Sequence, residues 1–172
     1  SPEVQKKQPY YYDCSVDPRW HCFEVFEKWF MQQEQRHHKE NYDVERRWSI
    51  DKDILVRGNK VYSPETCCFV PNEINSAVTK PKRRITHQGL PEGVGIIKAK
   101  TKGAKVGYTA RAHTGTTDKD RYLGYYDTPE QAFKVYKRVK EDHIKSLADK
   151  WKGKIDDKVY EALMSWEVGV DK

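Results

Sequence analysis

The segment RYLGYYDTPEQA, residues 121–132, decides how the second half of this chain folds. Its first six residues are rich in tyrosine, and aromatic residues favour β-strands. The next residues have the composition of a helix start, because Thr128 is a preferred N-cap, Pro129 suits the first helical position and Gln131 completes a capping box. The segment therefore predicts a strand that leads directly into a helix.

Two further strand-like runs precede this segment, at residues 94–99 and 105–113, and Gly-containing turns separate the three runs. This order predicts an antiparallel meander. Alternation places Tyr108, Ala110 and Ala112 on one face, where small alanines let the following helix approach closely. The apolar stripe predicted for that helix consists of Ala132, Phe133, Tyr136, Val139, His143, Leu147 and Trp151. A last helix is predicted at residues 156–166.

The first half of the chain predicts an aromatic helix followed by a smaller β-strand and helix unit. Asp17 and Pro18 suit a helix start, and large rings then recur at helical spacing at Trp20, Phe23, Phe26 and Phe30. Residues 48–50 and 67–70 predict two short strands, with a turn at Gly58-Asn59 between them and a helix from Asn72 after the second.

Composition favours two compact modules over one large core. The chain has 172 residues, 34% of them charged, and a mean hydropathy of −0.97, which leaves little apolar material. The segment TKPKRRITHQGLP, residues 79–91, has the proline, glycine and basic residues of a linker. We therefore expect a first module at 1–78, a linker at 79–91, a second module at 92–150 and a C-terminal helical segment at 151–172. The linker side chains expected to contact phosphate are Lys80, Lys82, Arg83 and Arg84.

The charge of the chain favours a polyanionic partner. The net charge is +6 and the isoelectric point is near 9.0, as is common for proteins that bind nucleic acid. The sequence has no apolar run of about 18 residues and no signal-peptide pattern, so the prediction is a cytoplasmic protein that does not enter a membrane. The four cysteines form no CxxC pair, which makes zinc unlikely and favours buried free thiols: Cys14, Cys22, Cys67 and Cys68.

The stretch SIDKDILVRGNKVYSPETCCFVPNEIN, residues 49–75, resembles the HNH homing-endonuclease family. In that family a strand ends in Asp-His, where the aspartate binds a divalent metal and the histidine takes a proton from water. An asparagine further on buttresses the loop, and a helix residue completes the metal site. The resemblance implies a ββα-metal core in which Asp51 and Asn75 bind magnesium or manganese.

Two departures from the family pattern predict a degenerate active site. Lys52 occupies the place of the general base, and an exposed lysine is protonated at neutral pH and cannot accept a proton. Thr66 occupies the place of the buttressing asparagine. Two alternatives stay open: Asp53 or a metal-bound hydroxide supports weak nicking, or Asp51 and Asp53 only pair with basic neighbours, without metal. The basic neighbours in question are Lys52, Arg57 and Lys60.

The second module resembles the plant ethylene-response-factor (APETALA) domain from about residue 92 to 148, most specifically in LGYYDTPEQA at 123–132. The resemblance implies a sheet that binds in the DNA major groove, where arginine reads guanine and lysines contact phosphate. We expect base contacts from Arg111 first, then His113 and Arg121, with Thr109 on the same face. The phosphate contacts are expected at Lys98, Lys100, Lys102 and Lys105; the alternative is that these lysines only keep a strand edge soluble.

Together the two resemblances predict an α+β protein, with an HNH-like core followed by a three-stranded antiparallel sheet packed on one helix, plus a C-terminal helix. The stretches 10–30 and 50–67 resemble bacteriophage proteins that join these two modules, so Ser1 is expected to follow a missing segment. The leading hypothesis is a phage protein that binds double-stranded DNA in the host cytoplasm without cleaving it. The alternatives are a metal-dependent nicking endonuclease and a factor that inhibits a host nuclease or defence protein. The oligomeric state is left open.

Overall fold

The computed structural model describes residues 13–41, 48–79, 89–97, 106–115 and 120–169. Within these ranges the chain is mixed α+β, with four α-helices and seven β-strands. The chain divides into two units, one formed by Ser1–Asn75 with Trp151–Ala162 and the other by Ser76–Lys150 with Leu163–Lys172. The C-terminal segment predicted at 151–172 is thus shared between the units. Most of the linker predicted at 79–91 lies outside the described residues and stays a prediction.

The first unit contains two small sheets. Its elements are β1 (Ser15–Val16), α1 (Phe23–Asn41), β2 (Trp48–Asp51), β3 (Val61–Tyr62), β4 (Cys68–Pro71) and the start of α2 (Asn72–Val78). Strands β2 and β4 pair antiparallel, and α2 follows β4 without a loop, as the sequence predicts. The parallel pair of β1 with β3 is not predicted, because strands of two residues are too short to show an alternating pattern.

The aromatic helix begins later than predicted. Asp17 caps a 3-10 turn at Pro18–His21 instead, and Cys22 is extended, so α1 begins at Phe23. Trp20 lies in the turn, where its ring packs 4.7 Å from that of Trp29. Further rings build the core of this unit, since Trp48 stacks on Phe69 at 5.4 Å and meets Trp151 edge-on at 5.7 Å.

The cysteines of this unit differ in exposure. Cys67 and Cys68 are buried, as predicted for free thiols that pack as small hydrophobes, whereas Cys14 is half-buried and Cys22 is exposed. Burial raises the pKa of Cys67 to about 11 and also raises that of Cys68. These two thiols therefore stay protonated at neutral pH.

The second unit contains the predicted meander. Strands β5 (Val94–Ile97), β6 (Gly107–Ala112) and β7 (Arg121–Tyr126) form an antiparallel sheet in that order. Helix α3 (Pro129–Lys150) begins as predicted, because the Thr128 hydroxyl accepts a hydrogen bond from the backbone N–H of Gln131 at 3.3 Å. Helix α4 (Asp157–Met164) follows, with most of its residues in the first unit. After it, the Val168 N–H donates to Glu141 of α3 at 2.7 Å.

Helix α3 covers one face of this sheet. Ala110 and Ala112 are buried on that face, which confirms the prediction that alanines admit the helix. The Tyr136 ring of α3 packs directly against Gly93, whose φ of +72° also favours glycine.

The buried face of α3 differs from the predicted apolar stripe in the middle of the helix. Lys140 and Ile144 are buried, while Val139 and His143 are only half-buried. A helix places residues four apart on one face, and the aliphatic stem of a lysine can fill an apolar position. Burial lowers the pKa of Lys140, an effect that the carboxylates of Glu92 and Asp120 oppose.

Candidate nucleic-acid interface and nuclease-like core

The face of the β5–β6–β7 sheet opposite α3 is the first candidate site, and we call it the open face. No described element covers it. Register and alternation place seven residues there: Gly95, Ile97, Gly107, Thr109, Arg111, Tyr122 and Tyr125. A bulge between Ala110 and Arg111 shifts the register of β7, so that Arg111 lies opposite Tyr122.

Arg111 is exposed at one end of the open face. Its guanidinium lies over the Tyr122 ring, 5.6 Å from the ring centroid, and the tyrosine is itself 53% exposed. A cation–π contact of this kind restricts where the guanidinium can lie. The pair thus presents a positively charged, planar donor group to the outside, the group that recognises guanine or phosphate.

The other predicted base contacts are arranged differently. Thr109 lies on the open face but is only 7% exposed, so it presents little surface there, and its contact with DNA stays a prediction. Its partners in the register are Gly95 and Tyr125. His113 is exposed, with Nδ1 3.8 Å from an oxygen of Asp120. Arg121 is exposed but lies opposite Ala112, so alternation assigns it to the covered face, away from Arg111.

The predicted phosphate contacts all lie outside the described residues. This holds for Lys98, Lys100, Lys102 and Lys105 in the first hairpin of the sheet, and for Lys80, Lys82, Arg83 and Arg84 in the linker.

The second candidate site is the loop after β2 in the first unit. Asp51 ends β2, and its Oδ1 accepts hydrogen bonds from the backbone N–H groups of Asp53 at 2.6 Å and Ile54 at 2.8 Å. The carboxylate therefore holds the turn that follows the strand. Burial raises the pKa of Asp51 above its ordinary value of 3.8, although the two backbone hydrogen bonds oppose the shift.

Lys52 is more enclosed than the sequence suggests. Its side chain is 11% exposed, so the expectation of an exposed lysine is wrong. The ammonium pairs with the Asp53 carboxylate and lies 5.8 Å from the centre of the Tyr62 ring. The pairing predicted between Asp53 and a basic neighbour is therefore present, whereas Asp51 bonds to backbone N–H groups.

Asn59 braces this loop, a role that the sequence analysis missed. Its Nδ2 donates to the carbonyls of Lys52 at 2.9 Å and Val61 at 2.7 Å, and its Oδ1 accepts from the Val61 N–H at 3.1 Å. Thr66, at the expected place of the buttress, donates from its hydroxyl to the same Val61 carbonyl at 2.9 Å. An asparagine next to a glycine predicts a turn, but an amide that both donates and accepts is also the signal of a loop brace.

A divalent metal fits these residues poorly. Asn75 is half-buried on α2, and Asp51 already uses Oδ1 for two backbone N–H groups. The second nearby carboxylate, on Asp53, is paired with Lys52. In the described part of the chain no three His, Cys, Asp or Glu side chains are grouped so that they could hold a metal ion. Magnesium binding usually starts from one or two available carboxylates, and both carboxylates of this loop are engaged by other groups.

Comparisons with known proteins identify no relative of this chain. No family model matches it, and no match was found among curated proteins or among solved structures. In the described ranges no helix is long and apolar enough to cross a membrane.

Proposed function

We propose that this chain binds double-stranded DNA by placing the open face of its three-stranded sheet in the major groove. The observation that carries the proposal is the Arg111 guanidinium, which is exposed and lies over the Tyr122 ring where α3 does not cover the sheet. An exposed arginine can donate two hydrogen bonds to the O6 and N7 atoms of guanine. The net charge of +6 supports a polyanionic partner.

The first unit is proposed to be an HNH-like core that no longer cleaves DNA. Support comes from the order of its elements, since two antiparallel strands lead into α2 and Asp51 lies at the end of the first strand. Lys52 follows Asp51 with its ammonium paired to Asp53, so neither residue is available as a general base. The resemblance to phage proteins supports the host cytoplasm as the place of action.

Fluorescence anisotropy of the full chain with labelled duplexes over a salt series tests the binding proposal. The affinity is expected to fall steeply as salt is added, because lysine and arginine contacts release counterions from DNA. Lys98→Ala or Lys100→Ala is expected to weaken binding to all sequences alike and to reduce the slope of log affinity against log salt by about one. Equal slopes for the variants and the wild-type chain would contradict these two phosphate contacts, and no binding at low salt would contradict the function itself.

Supercoiled plasmid tests the second part of the proposal. We expect no nicking above background in magnesium or manganese, because the place of the general base holds a lysine that is paired with the Asp53 carboxylate. Lys52→His restores a proton acceptor, but we expect this variant to stay inactive, since Asp51 remains engaged by the backbone. Nicking by the wild-type chain that EDTA and Asp51→Ala both abolish would make the protein an endonuclease. Nicking by Lys52→His alone would show that a metal site is intact and only the base is missing.

A further inference from the structure

The open face has an apolar end as well as a charged end. Ile97 is 45% exposed and lies opposite Gly107 in the register, and Tyr125 is 51% exposed. A Cβ atom at Gly107 would overlap the Tyr125 ring. The ring therefore lies over β6, in the space that is open because Gly107 has no side chain. An isoleucine side chain and an aromatic ring therefore flank one glycine, at the end of the face away from Arg111.

The chemistry of this end restricts what it can recognise in DNA. A major groove presents hydrogen-bonding atoms on every base pair, but its apolar group is the C5-methyl of thymine. Isoleucine has neither donor nor acceptor, so a favourable contact with a base edge has to be made with such a methyl group. We propose that Ile97 and the Tyr125 ring recognise the C5-methyl group of a thymine, an inference that rests on the proposed duplex binding.

The spacing along β6 places this thymine relative to the base that Arg111 contacts. Gly107 and Arg111 are four residues apart on one strand, which is about 13 Å at roughly 3.3 Å per residue. Successive base pairs are about 3.4 Å apart along the helix axis. A strand that lay parallel to the helix axis would thus put the methyl contact about four base pairs from the guanine, and a strand inclined with the groove would put it slightly closer.

Gly107 provides a variant that changes this contact without changing Ile97. In Gly107→Ala the new Cβ must displace the Tyr125 ring. Because that ring is half exposed, it can rotate outward and the sheet can keep its register. The apolar surface beside Ile97 would then change while Arg111 and Tyr122 stay in place.

The experiment uses the full chain and a duplex selected from a random pool for tight binding. Each thymine of the selected duplex is replaced in turn by deoxyuridine, which removes only the methyl group. We expect one replacement, within about four base pairs of the guanine that Arg111 contacts, to weaken binding about fourfold, the value of one buried methyl group. That guanine is the one whose substitution weakens binding by the same factor as Arg111→Ala. Ile97→Ala is expected to bind the thymine and uracil duplexes equally, and Gly107→Ala to reduce the difference.

The control variant is Val61→Ala, which truncates an exposed valine of the first unit and is expected to keep the fourfold difference. The inference is overturned if no deoxyuridine replacement weakens binding, or if Ile97→Ala keeps the full difference. If the full chain binds no duplex at all, the proposed function fails, and this inference fails with it. Binding that is tight but indifferent to the methyl groups overturns the inference alone.

Discussion

Arg111→Ala is expected to weaken binding to the preferred duplex by about 5- to 150-fold, the equivalent of roughly 1–3 kcal/mol for a paired hydrogen-bond contact with guanine. The side chain is exposed and makes its described ring contact with Tyr122, so its removal should leave the sheet intact. Binding to scrambled duplexes should change little, because nonspecific affinity depends mainly on phosphate contacts. Anisotropy titrations with both duplexes measure the two effects.

Arg138 provides the matched control for this change. It is an arginine of the same unit, on the exposed side of α3, with its side chain 85% exposed and 3.9 Å from an oxygen of Asp142. Arg138→Ala removes the same charge and is expected to leave the preference for the selected duplex unchanged. Equal losses for the two variants, or equal losses on preferred and scrambled duplexes, would show that Arg111 acts only through its charge.

Asp51→Ala is expected to be less stable than Asp51→Asn by roughly 2–4 kcal/mol, because alanine leaves two backbone N–H groups without their acceptor. Asparagine keeps an oxygen in that place. Asp51→Asn should also be at least as stable as the wild-type chain at pH 7, since burial disfavours the charged carboxylate that it replaces. Urea unfolding of the three proteins measures these differences.

The stability that Asp51→Asn gains over the wild-type chain depends on pH in a direction that the raised pKa of Asp51 determines. Because the pKa of Asp51 is raised in the folded chain, the folded state holds this proton more tightly than the unfolded state does. Protonation of Asp51 therefore stabilises the folded state fully below pH 3.8, and this stabilisation is lost as the pH rises through the raised pKa of Asp51. The advantage of Asp51→Asn should therefore be largest at neutral pH and should shrink toward pH 3.8. A constant advantage across this range would contradict the buried carboxylate as its cause.

Much of the second unit is predictable from sequence because its signals are local. The strand and helix start in residues 121–132 are recognised from tyrosines, Thr128 and Pro129, and the alanines of β6 identify the face that α3 covers. The burial of Thr109 is not predictable in this way. It depends on neighbouring strands and on the bulge beside Arg111, which changes the residues that lie opposite one another.

The first unit is harder to predict because its decisive contacts link residues distant in sequence. The β1–β3 pair joins Ser15 to Val61, and the stacking of Trp48 on Phe69 and against Trp151 joins three separate segments. Lys52 is enclosed by Asp53 and by Tyr62, ten residues further on. A pattern of residue types contains no information on such enclosure, so the motif located the loop but not the state of its side chains.

The division of the chain determines the order in which its parts can be completed during synthesis. The first unit needs Trp151–Ala162, which are made only after the sheet and α3 of the second unit have been translated. A ribosome adds about 5–20 residues per second, so the rings of Trp48 and Phe69 wait several seconds for Trp151. During that interval the aromatic side chains of the first unit lack the ring of Trp151 that packs against Trp48. A chain that stops before residue 151 would contain β2, the loop around Asp51 and β4 without the tryptophan ring that packs against Trp48.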